Sequence, residues 1–551
     1  MKDIFNQIKM FIFNKKINLS LFSFTIIYSL FITIFYNFKF FKSIYLINNS
    51  ILMTFISLVI VFLLYNLVLS LIFWKKTTKF FAILFVLINA GALYFMNTYN
   101  IAIDRVMLLN VKETDVNETL ELLNLVFLSY IFFLGILPAI LISKTQINYQ
   151  NIKIELKNKL LLILSTIVVV SIILATSYKT ASSNIRQNKK LKHTLLPFNY
   201  IDAGVGVIKR SIKSKTKPFN NLTEDVILTH NQQNNKKNLV IFVVGEASRT
   251  KNWSLYNYNK DTNKYLKEGV GKENLIYFDN FFSCGTSTAI SVPCIFSHLE
   301  RKNFDIDNRD NYSNLLDFLK KVDFDILWRE NNSSCKGVCK RVAEENFTTN
   351  KNNQKFCNSK ECFDEVLLDN LQEKINNLTS QNNFIVLHQK GSHGPAYYLR
   401  YPQEFEAFKP VCKSEYFNKC TNEEIVNAYD NTINYTSYFL NDAIKILNNN
   451  KENFNVALIY VSDHGQSLGE NGIYLHGMPY KFSPKEQRHI PFFMWFSDDF
   501  KQEFNVNEQC LKNKQNQELS HDNIFHSVLG LFDIKTKYYD KKLDIFSECK
   551  Y

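Results

Sequence analysis

No cysteine occurs before residue 284 of this 551-residue chain, and then ten follow. All ten, Cys284, Cys294, Cys335, Cys339, Cys357, Cys362, Cys412, Cys420, Cys510 and Cys549, lie in the polar half. An even number in close pairs reads as disulfides formed in an oxidising compartment. Sequential pairing is preferred: 284–294, 335–339, 357–362, 412–420 and 510–549. Cys335-Lys-Gly-Val-Cys339 reads alternatively as half a zinc knuckle, although its neighbours lack the spacing of a second pair. The chain also lacks a dense Arg/Lys stripe with interleaved aromatics. Its formal charge of +13 therefore points to an anionic membrane rather than to nucleic acid. Lys, Asn, Ile and Phe are abundant throughout, so part of that charge is compositional. No internal repeat is present.

What the chain has in quantity is apolar side chain: 46% hydrophobic residues and 48 Phe. The mean hydropathy is nonetheless slightly negative, as expected of a membrane half diluted by a polar one. Residues 1–180 read as a transmembrane domain of five helices, at about 18–38, 51–74, 79–99, 119–143 and 159–178. Each has near the ~20 apolar residues that cross ~30 Å of hydrocarbon. The first is long and lacks a small-residue cleavage site, which argues against a removed signal peptide. Lys9, Lys15 and Lys16 precede span one, Lys75, Lys76 and Lys79 follow span two, and Lys144, Lys153, Lys157 and Lys159 follow span four. The segment after span three carries Asp104, Glu113, Asp115 and Glu118 as well as Arg105 and Lys112. The positive-inside rule puts the N-terminus in the cytoplasm, and five crossings put everything after residue 180 outside. The cysteines point independently to the same side.

Residues 181–235 read as a linker. Within it 196–209 is apolar enough to lie along a membrane surface, and Lys209, Arg210, Lys213 and Lys215 are placed to meet lipid phosphates. Residues 236–551 form the soluble domain. There the apolar runs Leu239–Val244, Phe324–Trp328, Phe384–Leu387 and Val456–Val461 alternate with helical stretches, the pattern of an α/β fold with a mostly parallel sheet.

Chemistry-bearing residues stand just past those runs. Gly245-Glu246 ends the first, and Asp463-His464 the last, with His476 further along the same loop. His393 lies in a Gly/Pro-framed loop after the third, whereas His388 at that strand's end reads as a supporting or core histidine. Cys284-Gly-Thr-Ser-Thr-Ala-Ile-Ser-Val-Pro-Cys294 enters a helix and offers Thr286, Ser287, Thr288 and Ser291 as hydroxyl nucleophiles. Such a hydroxyl needs a base or a metal to lower its pKa. Asn332, Ser333 and Lys336 offer donors suited to phosphate. In open sheets ligands bind at the carboxyl ends of strands. A carboxylate, imidazole and hydroxyl set there suits Zn²⁺, whereas Mn²⁺ favours more oxygen.

Five motifs in order carry a resemblance: Val244-Gly-Glu-Ala-Ser-Arg-Thr-Lys-Asn-Trp-Ser-Leu-Tyr256, the Cys284–Cys294 segment, Trp328-Arg-Glu-Asn-Asn-Ser333, His388-Gln-Lys-Gly-Ser-His-Gly-Pro395 and Ser462-Asp-His-Gly-Gln-Ser-Leu-Gly-Glu-Asn-Gly-Ile-Tyr-Leu-His-Gly477. Over its full length the chain resembles the bacterial lipid A phosphoethanolamine transferases, the family that includes transferable colistin-resistance enzymes. The resemblance implies an N-terminal all-α five-helix transmembrane domain (1–180), a periplasmic linker with an interfacial helix (181–235) and a periplasmic catalytic domain of the alkaline phosphatase/sulfatase type (236–551). It implies Thr288 as nucleophile, and one catalytic Zn²⁺ held by Glu246, Thr288, Asp463 and His464. His393 and His476 would serve a second zinc or the substrate phosphate, and Asn332, Ser333 and Lys336 the phosphoethanolamine pocket. The implied donor is phosphatidylethanolamine, the acceptor lipid A, the location the bacterial inner membrane, and the state a monomer. The cellular consequence is polymyxin resistance. The alternative is a same-fold transferase acting on another acceptor or head group. A sulfatase is disfavoured, since no Cys- or Ser-x-Pro-x-Arg motif surrounds Cys284. Two positions depart from the family pattern: Gln466 stands where Glu is common, and Ala247 where Thr is usual.

Overall fold

Long uninterrupted runs of Ile, Leu, Val and Phe satisfy their backbone polar groups in lipid only as helices. The computed structural model describes residues 17–99, 101, 103–113, 124–187, 189–215, 218–348, 355–357, 361–415 and 417–551. In its N-terminal part α1 spans Leu21–Tyr36, α2 Phe38–Asn48, α3 Ile51–Ile72, α4 Thr78–Thr98, α5 Leu125–Lys144 and α6 Ile152–Gln187. Among the described residues, α3, α4, α5 and Ile152–Ile173 of α6 are each long and apolar enough to cross a membrane. The start of the expected fourth span, and Lys9, Lys15, Lys16, Asp115 and Glu118, lie outside the described residues.

The first expected span differs. Instead of one straight helix at 18–38, α1 and α2 meet at a bend of 62°, so a fifth span exists only if the bent pair counts as one. At the bend stands the buried Asn37, whose amide bonds one helix carbonyl and ties the bend to the backbone of Leu196. Its Nδ2 donates to Ile32 O (3.0 Å) and Leu196 O (3.1 Å), and its Oδ1 accepts from Leu196 N (2.9 Å). An interrupted apolar helix is tolerated where a side chain satisfies the freed groups. Hydropathy does not register such a break. A second irregularity, the π-turn Ile131–Ile136 inside α5, brings Gly135 against α4; a Cβ there would lie 3.4 Å from Ala90 Cβ. Small residues allow this close approach of helices.

Two compact units result, one of Met1–Leu108 with Leu123–Val205, the other containing Gly206–Tyr551. Between them in sequence runs α7, Phe198–Lys215, with Ile201, Val205, Ile208 and Ile212 exposed at helical spacing.

The second unit is built on a seven-stranded sheet. Its strands are β1 Lys237–Gly245, β2 Ile276–Tyr277, β3 Phe324–Glu330, β4 Ala343–Asn346, β5 Asn382–His388, β6 Phe454–Ser462 and β7 Phe492–Phe496. The order is β2-β7-β6-β1-β5-β3-β4, parallel except for the pairs made by β7. All four apolar runs picked out in the sequence are adjacent central strands. Along β1, Val240, Phe242 and Val244 enter one core while Leu239, Ile241 and Val243 enter the other. Both faces are therefore covered, which is why the run is continuously apolar rather than alternating. The helices α8 Thr288–Ile295 and α10 Ile524–Leu531 pack on the first face, and α9 Asn422–Asn449 on the second. The five cysteine pairs close as sequential disulfides: 284–294, 335–339, 357–362, 412–420 and 510–549.

The chain entering β1 is pinned by one imidazole. His230 Nε2 lies 2.8 Å from Glu503 Oε1 and its Nδ1 3.2 Å from Asp533 Oδ2. The buried Glu503 also accepts from Gln233 N and Asn234 N. Burial opposes a charge on His230, but the two carboxylates outweigh it and raise the pKa above 6.5. A raised histidine pKa stabilises the fold fully below the unfolded value and less as pH climbs through the folded one. His230→Ala should therefore cost about 1–3 kcal/mol at pH 6 and less at pH 9. Thermal unfolding at the two pH values checks this, and an equal loss at both would remove the charge from the explanation.

Candidate active site

Strand register places the acidic groups before any loop does. On adjacent parallel strands Gly245 pairs with Ser462, so Glu246 and Asp463 leave the sheet side by side. Val244 pairs with His388 on β5, and His388 with Glu330 on β3. Four strands thus end at one edge, each with a polar residue at or just past its end.

Glu246, Asp463 and His464 are fully buried, and one ligand atom from each lies within 4.8 Å of the others. His464 Nε2 is 3.3 Å from Glu246 Oε1 and 3.4 Å from Asp463 Oδ2. Its Nδ1 lies 2.9 Å from Gly465 O, which fixes the ring and turns Nε2 toward the carboxylates. Asp463 Oδ1 accepts from Ala247 N (3.1 Å) and His464 N (2.6 Å). Glu246 Oε1 and Asp463 Oδ2 are buried without any hydrogen-bond partner. Two carboxylate oxygens that accept no hydrogen bond, facing an imidazole nitrogen, could hold a divalent cation.

Thr288 opens α8, and its Oγ1 donates to Glu246 Oε2 at 2.9 Å, 3.4 Å from His464 Nε2. Of the four hydroxyls considered from sequence, this one is placed against the cluster. Thr286 instead donates to Met478 O, and Ser291 accepts from Gly285 N. The loop before Thr288 is held by the Cys284–Cys294 disulfide and by His521, whose Nδ1 accepts from Cys284 N (3.0 Å) while its Nε2 reaches Ser462 O (2.9 Å). Burial pushes the His521 pKa down to about 3, so it is a neutral strut between the hydroxyl loop and β6.

Asn332 joins the cluster directly, its Nδ2 donating to Glu246 Oε2 at 2.7 Å. Ser333 and Lys336 stand one step away: Ser333 N donates to Asn332 Oδ1, and Lys336 Nζ donates to Ser333 Oγ at 2.7 Å. The His476 ring lies 4.2 Å from that of His464, and the His393 ring 5.7 Å from that of His476. Gln466 accepts from His476 Nδ1 (2.8 Å) and donates to Tyr397 Oη (2.7 Å), so the glutamine that departs from the expected Glu still supports this histidine. Ala247, the other departure, has φ 53°; Tyr429 Oη donates to its carbonyl and accepts from Arg249 N.

Several supporting residues escaped sequence reasoning. Tyr429 and His521 are distant in the chain and carry no local signal. Glu330 did carry one: it ends a strand in a marked motif, as Glu246 and Asp463 do. Gly391 has φ 52°, and a Cβ there would sit 2.8 Å from Glu246 O, so only glycine allows the His393 loop this close.

The electrostatics follow from burial. Burial opposes ionisation of Glu246, but His464, and beyond it His393 and His476, outweigh that and hold it well below the usual range. Burial and then the Glu246 charge push Asp463 up, with His464 partly offsetting them. Burial works against a charge on His464, yet Asp463 and Glu246 carry its pKa to about 9.

A family profile described as Sulfatase matches residues 238–534, and one described as Phosphoethanolamine transferase EptA/EptB matches residues 61–212. The chain is 38% identical over 548 residues to phosphoethanolamine transferase EptA of Escherichia coli strain K12, covering 97% of this chain and 98% of that protein. It is 35% identical over 468 residues to phosphatidylethanolamine transferase Mcr-1 of Escherichia coli, covering 84% of each. Among solved structures, the integral membrane protein lipooligosaccharide phosphoethanolamine transferase A (EptA) from Neisseria meningitidis matches with a TM-score of 0.92 at 34% identity, over 97% of this chain and 99% of that one.

A cation bound at Glu246, Asp463 and His464 must displace the protons that Asp463 and His464 hold. Zinc affinity of the stripped protein should fall steeply as pH drops from about 9 to about 6, with proton release on uptake. Competition with a chromophoric chelator measures it, and an affinity flat across that range would remove these residues as ligands.

Proposed function

This chain belongs to the phosphoethanolamine transferase family, and we propose that it moves phosphoethanolamine from phosphatidylethanolamine to lipid A through Thr288. The observation that carries the reading is the Thr288 hydroxyl, 2.9 Å from Glu246 Oε2 at the mouth of a buried carboxylate and imidazole cluster. Glu246, Asp463 and His464, with the Thr288 oxygen, hold one catalytic Zn²⁺; the unpartnered Glu246 Oε1 and Asp463 Oδ2 support this assignment. Bound there, zinc lowers the pKa of a hydroxyl and offsets phosphoryl charge.

The residues supply the rest. Glu246 Oε2 accepts from the Thr288 hydroxyl and is itself held by Asn332 Nδ2, which orients the threonine oxygen for attack on phosphorus. A bond forms from Thr288 Oγ1 to the phosphorus of phosphatidylethanolamine as the hydroxyl proton passes to Glu246 Oε2, its hydrogen-bond acceptor; the bond to the diacylglycerol oxygen breaks, that oxygen takes up a proton, and phosphoethanolamine remains on threonine. A lipid A phosphate oxygen then attacks the same phosphorus and frees Thr288. Asn332, Ser333 and Lys336 bind the phosphoethanolamine group. His393 and His476 meet the substrate phosphate or a second zinc. Residues 1–180 cross the bacterial inner membrane from a cytoplasmic N-terminus. Residues 181–235 form a periplasmic linker whose interfacial helix lies along the membrane's outer face, and 236–551 form the periplasmic catalytic domain of a monomer. Transfer to a core sugar or protein, or of another head group such as phosphoglycerol, is the alternative on the same chemistry.

Cells carrying the wild type should gain lipid A heavier by one phosphoethanolamine group, with reduced polymyxin sensitivity, and cells carrying Thr288→Ala should gain neither. Mass spectrometry of extracted lipid A reads this directly. Unmodified lipid A in the presence of folded, zinc-loaded wild type would rule out that acceptor.

A further inference from the structure

Behind Glu246 and Asn332 lies a buried polar group, Glu330 with Trp328 and His388, that the transfer reaction does not use. Glu330 is fully buried at the end of β3, and every oxygen it has is occupied. Its Oε2 accepts from Trp328 Nε1 (2.9 Å) and faces His388 Nδ1 (2.9 Å), and its Oε1 accepts from the backbone N–H of Asn332 (2.7 Å). Asn332 is then held at both ends of its amide: Oδ1 accepts from Ser333 N, and Nδ2 donates to Glu246 Oε2, with His388 Nε2 3.4 Å away.

A buried carboxylate–histidine pair is a poor device for stability, because desolvating both groups costs about what their attraction returns. Three donors converging on one carboxylate are a good device for direction. Asn332 sits in the turn after the strand, where an amide side chain would otherwise rotate. With its backbone N–H clamped by Glu330, the amide has one place to go.

We propose that Glu330, held by Trp328 and His388, is a positioning residue that sets where the Asn332 amide meets Glu246, and so which way the two Glu246 oxygens face at Thr288. This rests on the transfer reading above. Glu330 touches neither Thr288 nor substrate; its effect passes through Asn332. Partners of this kind one layer behind a ligand commonly change activity by about 10- to 100-fold, in line with the cost of misplacing a reacting group by ~1 Å.

The test is a double-mutant cycle on the full-length protein in detergent. Initial rates of diacylglycerol release from acyl-chain-labelled phosphatidylethanolamine are measured for wild type, Glu330→Gln, Asn332→Ala and the double variant, with thermal unfolding of each. Glu330→Gln should lower kcat about 10- to 100-fold with KM little changed. In the Asn332→Ala background the same substitution should cost no more than about threefold, because the path is already cut. Glu330→Gln with wild-type kcat, or losses that multiply in the double variant, would overturn the inference while leaving the transfer reading intact. A wild type that releases no diacylglycerol overturns both. Should Glu330→Gln not unfold cooperatively, His388→Ala takes its place in the cycle, where the same results support or overturn the inference.

Discussion

Two buried carboxylates emerge side by side from neighbouring strands, and most of the second unit is arranged around that fact. The one-to-one register of β1 with β6 leaves Glu246 and Asp463 no choice but proximity. Like charges at this separation in a low-dielectric setting repel by several kcal/mol, about 4 kcal/mol for unit charges 4 Å apart at an effective dielectric of 20. The site divides the strain unequally: Glu246 stays ionised beside the histidines, and Asp463 is pushed toward its neutral form. His464 offsets part of the charge, and two oxygens are left without partners. A cluster of this composition could hold a cation, and the Thr288 hydroxyl lies against it.

Holding that cluster requires backbone that ordinary turns do not provide. Ala247 is kept in the left-handed region because Tyr429, reaching in from α9, bonds both its carbonyl and the N–H of Arg249. Arg249 in turn donates to Gln466 O and Glu470, tying the loop after β1 to the loop after β6. Gly391 supplies the close approach of the His393 loop, and Asp364 holds that loop through Lys390 N and Gly391 N. Such local strain persists only where the surroundings over-determine it, and here four chain segments do.

The apolar helices answer a different constraint. Their buried polar side chains, Asn37 foremost, satisfy backbone groups that a break in a helix exposes. Donor and acceptor lipids of the proposed reaction are both amphiphiles confined to a surface, so an anchored catalyst searches two dimensions rather than three. That gives the apolar helices a purpose beyond attachment.

Much of this was legible beforehand. Short apolar runs announced the four central strands because both faces of the sheet are covered, and cysteines confined to one half announced the disulfides, even to their order. Strand-end carboxylates and a Thr-rich helix entrance stood out because few local structures need them. Long apolar runs revealed helices but not the bend at Asn37, since hydropathy is blind to a single amide substituting for lost backbone bonds. The choice of Thr288 over Thr286, Ser287 and Ser291 rested on family resemblance alone, and only the fold put one hydroxyl against Glu246. The struts Tyr429, His521 and Asp364 were invisible, because each acts across more than twenty residues of chain and looks locally like any core side chain. Sequence periodicity is set by which face of an element meets the core, so it reports elements and their ends; which ends meet is decided by strand order and register, and those exist only once the sheet has closed.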